Sequence, residues 1–186
     1  MRYSIILCLL GASFLARATT PEELVTRYFE AFKKGDMEAV AGEMHLGELT
    51  KFKDTLLPVL EQTIVSSAAG PGRDELMIRQ FTNRDDMETI REESPRAFFV
   101  RFMRWVMKLN PMMSQTMSAA SIETLGHIIE KDMAHVVYRI HIDMMGAKVS
   151  QLNVMSVKKE DEAWRLMMTG EIEGMGKMLQ QNMNRF

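Results

Sequence analysis

From His135 to Ile172 the chain reads HVVYRIHIDMM, AKVSQLNVMSVKK and EAWRLMMTGEI, with apolar residues recurring at every second position. Alternation in runs this rich in Val, Ile, Tyr and Trp predicts half-buried strands. A fourth run, Ser121 to Ile129, precedes them and ends at Glu130-Lys131-Asp132. The separators Met145-Gly146 and Glu160-Asp161 are too short for a crossover, so neighbouring strands must run antiparallel.

Upstream the period lengthens to that of helices. Thr20-Pro21-Glu22-Glu23 supplies a capping threonine, an early proline and a glutamate three residues after the cap. Leu24, Val25, Tyr28, Phe29 and Phe32 follow at helical spacing up to Lys33-Lys34-Gly35. Asp36 can cap a second short helix with Val40 and Met44 inward. Leu49, Phe52, Leu56, Leu60 and Ile64 mark a third, which Pro58 should kink or break. Ala68 to Gly72 is a break, and Glu75 to Phe81 reads equally as strand or helix. Asn83 can cap a polar helix through Arg91. Ser94-Pro95 opens the best helix of the chain, carrying Phe98, Phe99, Phe102, Met103, Trp105, Val106 and Leu109 to a stop at Asn110-Pro111. A last helix is predicted over Glu173 to Asn182.

Strand parity then assigns faces, because successive side chains point opposite ways. With Glu160-Asp161 as a two-residue turn, Val157 faces Trp164 and Met155 faces Leu166. The turn at Met145-Gly146 sets Ile142 beside Val149 and Val136 beside Met155. One face then holds Val136, Tyr138, Ile140, Ile142, Met144, Val149, Met155, Val157, Trp164, Leu166 and Met168, and Leu125, His127 and Ile129 join it. That is the predicted core face. The other face carries His135, Arg139, His141, Asp143, Lys148, Ser150, Ser156, Lys158, Arg165 and Glu171, yet Val137, Leu152, Val154 and Met167 fall together at its centre. A polar face with an apolar middle points to association, and a homodimer through this face is one outcome.

Composition adds a compartment. Residues 1–18, MRYSIILCLLGASFLARA, have a basic start, an apolar segment and a small-residue site ending at Ala18. This is the pattern of a secretory signal peptide, too short and poorly flanked to span a membrane. The predicted mature unit is a single domain over residues 19–186, periplasmic or secreted. The lone cysteine, Cys8, lies in the leader, so the mature chain offers no disulfide, thiolate metal site or cysteine nucleophile. Loss of Arg2 and Arg17 with the leader takes the formal charge from −2 to −4. Mild acidity argues against a nucleic-acid partner.

Helices followed by an antiparallel meander define an α+β chain with the helices on one face of a four-stranded sheet. The opening YFEAFKKGDMEAV resembles the first two helices of the nuclear transport factor 2-like, or ketosteroid-isomerase-like, superfamily, where an aromatic helix ends at Gly-Asp. AHVVYRIHID and WRLMMTGEIEGM resemble that superfamily's closing strands. The resemblance covers the two ends of the mature chain, and a long helical block, Leu49 to Leu109, replaces the shorter middle. It implies a curved sheet and helices enclosing a small apolar pocket, in a group whose members variously isomerise, dehydrate, bind or dimerise. It carries over no catalytic residue.

Candidate chemistry is sparse, and no motif calls for a cofactor. His127 and Glu123, four residues apart on one predicted face, could share acid–base work in an isomerase or dehydratase. Tyr138, Gln151, Asn153, His127 and Trp164 are the residues expected to line a ligand pocket. The alternative for each is a satisfied polar group at the core edge. Nineteen methionines is a high count, and Met112, Met113 and Met117 form a cluster able to bind Cu(I) from a loop. Packing accounts for most of the rest. His135 and His141 share a face but lie ~20 Å apart along it, too far for one metal. Ser156 and Lys159 match an S-x-x-K pattern, yet three residues of strand point them to opposite faces. Gly174-Met175-Gly176 lacks the third glycine of a dinucleotide fingerprint. Arg101, Arg104 and Lys108 form a basic helical stripe that is either solvated or meets an anionic partner. The leading reading is a non-catalytic binding or interaction module.

Overall fold

The computed structural model describes residues 20–67, 80–83, 85–144 and 147–168. The leader, the segment Glu75 to Arg79 and the final helix predicted over 173–182 lie outside these residues. The architecture is α+β, with helices packed on a curved, open four-stranded antiparallel sheet.

Helix α1 (Pro21–Lys33) begins as the sequence predicts. The Thr20 hydroxyl accepts from the Glu23 backbone N–H, and the Glu23 carboxylate accepts from the Thr20 N–H, both at 3.2 Å. This reciprocal cap satisfies two of the helix's orphan donors. Asp36 caps α2 (Met37–Gly42) through Ala39. Helix α3 (Leu46–Ser67) runs on through Pro58 rather than breaking there. The ring removes one helical donor, but Leu56 and Leu60 are buried on either side of it and hold both halves to the core. Helix α4 (Met87–Glu92) is capped by Asp86, not Asn83, which adopts a left-handed φ of 51°. Ser94 caps α5 (Pro95–Leu109), and α6 (Pro111–Ala119) follows after Asn110.

Strands β1 (Ser121–Glu130), β2 (Met133–Met144), β3 (Ala147–Glu160) and β4 (Ala163–Leu166) pair in sequence order. The β2–β3 register is the predicted one, with Ile142 opposite Val149 and Val136 opposite Met155. The β3–β4 register is displaced by two residues. Val157 lies opposite Leu166, because the turn is Asp161-Glu162 and both residues take positive φ, at 48° and 63°. Two left-handed residues are what a tight hairpin of this twist requires. An even displacement preserves parity, so Trp164, Leu166 and Met168 are buried as predicted.

The β1 register is different. A bulge between Thr124 and Gly126, with Gly126 at φ 144°, inserts one residue and reverses parity upstream of it. Ile122 and Thr124 therefore sit opposite Ile140 and Tyr138, while Leu125 is 44% exposed. Ile129 and Val149 lie on the predicted face but beyond the reach of the helices, at 56% and 49% exposure.

The core has two centres. Helix α1 lies on β1, β2 and β4, and α6 on β2. There the Phe29 ring meets Tyr138 at 5.3 Å, over Ala134, Val136 and Val157. Helices α3 and α5 pack on each other. Phe52 is enclosed by Phe99 and Phe102, each at 5.2 Å, and Phe81 meets Trp105 at 5.4 Å. Burial of each such ring contributes roughly 1.5–3 kcal/mol.

Candidate functional site

The outward face of the sheet is the most unusual surface of the molecule. Its middle rows join Val137 to Val154 and Arg139 to Leu152, with Ile128 opposite His135 and Met167 donating its N–H to the Ser156 carbonyl at 2.9 Å. Leu152, Val154 and Ile128 are 58%, 61% and 61% exposed, and Val137 and Met167 are half-buried. All four residues expected at the centre of this face are there, and Ile128 extends the patch to the sheet edge.

Charged groups ring the patch, and most are paired within the face. Glu123 reaches Arg139 at 3.2 Å and His141 at 3.8 Å. Lys158 lies 3.5 Å from Asp132 and Arg165 3.9 Å from Glu160. Asp143 stands opposite Lys148. His135 contacts the Ser156 hydroxyl at 3.0 Å. The face thus shows apolar surface at its centre and balanced charge at its rim.

The two sheet edges differ. At β4 the edge is closed by residues 43–45: Leu166 N–H donates to the Glu43 carbonyl and His45 N–H to the Leu166 carbonyl, both at 2.9 Å. At β1 the bulge twists the strand, a device that discourages edge-to-edge pairing.

The proposed acid–base couple is not assembled. The bulge turns Glu123 outward to Arg139, while His127, downstream of it, stays on the helix side opposite Val136. His127 instead bonds through Nδ1 to Glu22 in the first turn of α1. Burial pushes the Glu22 carboxyl up, but hydrogen bonds from His127 and the backbone outweigh it and hold the group below the usual range. The pair ties α1 to β1.

The expected ligand residues share the helix-side face of the sheet, and none of them lines the cavity on the helical side. Tyr138 is packed against Phe29, and Trp164 lies under Lys159, whose Nζ is 5.4 Å from the ring centroid. Gln151 is exposed, and Asn153 donates to the Gln151 carbonyl at 3.4 Å. Met112, Met113 and Met117 are on helix α6, not a loop. Met112 is 69% exposed and Met117 packs against the core. Five residues of helix separate these two by ~140°, so they face apart. Lys159 and Ser156 point to opposite faces, as strand parity requires.

A cavity of about 440 Å³ lies instead on the helical side, with Phe81, Glu93, Arg101, Arg104, Trp105 and Lys108 among its lining. Arg101 forms its floor. The guanidinium donates to Glu93 Oε1 (2.9 Å from Nε), Asp85 Oδ2 (2.7 Å) and the Thr82 carbonyl (2.9 Å). The hydrogen bond to Glu93 raises its pKa, burial opposes this, and Asp85 adds to the rise. Sequence reading found the basic stripe but not its concavity, which depends on how residues 80–83 fold over α5.

Compared with known proteins, the chain matches no family model and no curated sequence.

Proposed function

We propose that the protein is a non-catalytic interaction module that works as a homodimer, two copies packing face to face through their sheets. The observation that carries this reading is the cluster of Leu152, Val154 and Ile128, each more than half exposed, running from the middle of the sheet to its β1 edge. Apolar clusters of this kind mark association sites.

Size and charge favour a second copy as the occupant. Strands of 10, 12 and 14 residues span roughly 40 Å by 15 Å, a plane of about 600 Å² before side-chain relief is counted. A stable interface takes about 800 Å² from each partner, so the face is of the needed order. Its charges are closed on themselves, so an identical face is not repelled, and no excess of one sign selects an acidic or basic partner. Two sheets stacked about 10 Å apart would inter-digitate these side chains. The resemblance of the chain's ends to the nuclear transport factor 2-like superfamily, which includes members that only bind or dimerise, agrees with this reading, as does export directed by residues 1–18.

Native mass spectrometry and light scattering test it. The expected result is a dimer at micromolar concentration that Val154→Arg converts to a folded monomer, since a buried unpaired charge costs several kcal/mol at an interface. A wild-type monomer at the highest soluble concentration, or a dimer indifferent to the substitution, overturns the proposal.

A further inference from the structure

The cavity on α5 is built in two parts with different electrostatics. Its floor is fixed and holds one guanidinium between two carboxylates: Arg101 is only 18% exposed and spends its donors on Glu93, Asp85 and the carbonyls of Phe81 and Thr82. These bonds tie Phe81, Thr82, Asp85 and Glu93 to α5, so this side of the concavity is preformed. Its mouth is cationic. Arg104 and Lys108 lie one turn apart, about 6 Å along the same face of the helix. Among the described residues Arg104 pairs with Glu38, at 3.4 Å between side chains that are 56% and 62% exposed. Lys108 is exposed and has no ion-pair partner among the described residues. Trp105 and Phe81 line the same hollow.

We infer that this cavity binds a small organic anion, a phosphate or carboxylate carried on a flat apolar body. The anionic group would bridge Arg104 and Lys108 at the mouth, displacing Glu38, while the body lies in the hollow against the Phe81–Trp105 pair that lines it. A planar guanidinium and a mobile ammonium one turn apart suit an oxyanion with several acceptor oxygens. The volume, about 440 Å³, lies in the range of small-molecule sites. The inference does not depend on the sheet face, which is formed by other elements.

Phenyl phosphate and benzoate, titrated into the full protein by calorimetry with Trp fluorescence as a second readout, are the probes. Saturable binding of either is expected, weakened about tenfold by Lys108→Glu and by Arg104→Gln, since each removes a charged hydrogen-bond partner. Lys131→Glu makes the same charge change as Lys108→Glu in the β1–β2 turn and should leave affinity unchanged. The variant sites are exposed, and circular dichroism verifies that each variant is folded. Failure of both probes to saturate, or equal loss with Lys131→Glu, overturns the inference.

Discussion

Both faces of the sheet carry aliphatic side chains, fewer on the outward one, and those side chains have opposite fates. On one, Ala134, Val136 and Val157 are fully buried under α1. On the other, Leu152 and Val154 stand in register with Arg139 and Val137 and remain exposed. Strand propensity does not separate these residues, since Val and Leu occur on both faces. What separates them is cover: the described helices pack on one side only, and the other face of the sheet has apolar surface the described residues do not hide. Folding accounts for the first face, and the proposed dimer would cover the second.

Parallel truncations on the two faces should break this comparison most sharply. Leu166→Ala, at a site 2% exposed, is expected to destabilise by about 2–5 kcal/mol through lost burial and a residual cavity. Leu152→Ala, chemically the same change, should move monomer stability by less than about 0.5 kcal/mol. Urea denaturation of both variants at concentrations where the protein is monomeric measures the difference. Equal losses would mean that the outward face is packed within the monomer, and would remove the case for an interface.

How far the sequence revealed the fold follows from what parity can and cannot see. The β2–β3 ladder was legible because its register is set by a long alternating pattern on both strands. The two-residue displacement at β4 was harmless, since an even shift leaves faces unchanged. The single inserted residue at β1 was not legible: GHII offers the same apolar count with or without a bulge, and only the backbone reveals Gly126 at φ 144°. That one residue turned Glu123 outward, dissolved its pairing with His127, and left Glu22 as the partner from the other end of the chain. The cavity on α5 was hidden for a related reason, because concavity arises between segments and leaves no periodic trace.

The bulge is therefore the hinge of the comparison on β1, and Gly126→Val tests it. A β-branched side chain at this φ is strained by about 1–3 kcal/mol, although no atom lies within 4 Å of the added Cβ to clash with it. Thermal unfolding should show that loss without a change in the buried Trp environment. A variant as stable as the parent would mean that the strand can relax to the unbulged register, bringing Glu123 to the helix side.

The smallest effect concerns the contact that replaced the predicted couple. Glu22 has its folded pKa below its ordinary value, the net of burial raising it and hydrogen bonds from His127 and the backbone lowering it more. Such a carboxylate contributes stability that is fully present above its unfolded pKa of about 4.3 and is lost as pH falls through the lower folded value. The side chain is 26% exposed, so screening by solvent keeps the contribution below about 1 kcal/mol. Glu22→Gln should accordingly lower stability slightly at pH 7, and the difference from wild type should shrink toward zero between about pH 5 and pH 3. Paired urea melts across that window measure it. A difference that stays constant to pH 3 would assign Glu22 a packing role, and one that grows on acidification would reverse the sign of the coupling between α1 and the sheet.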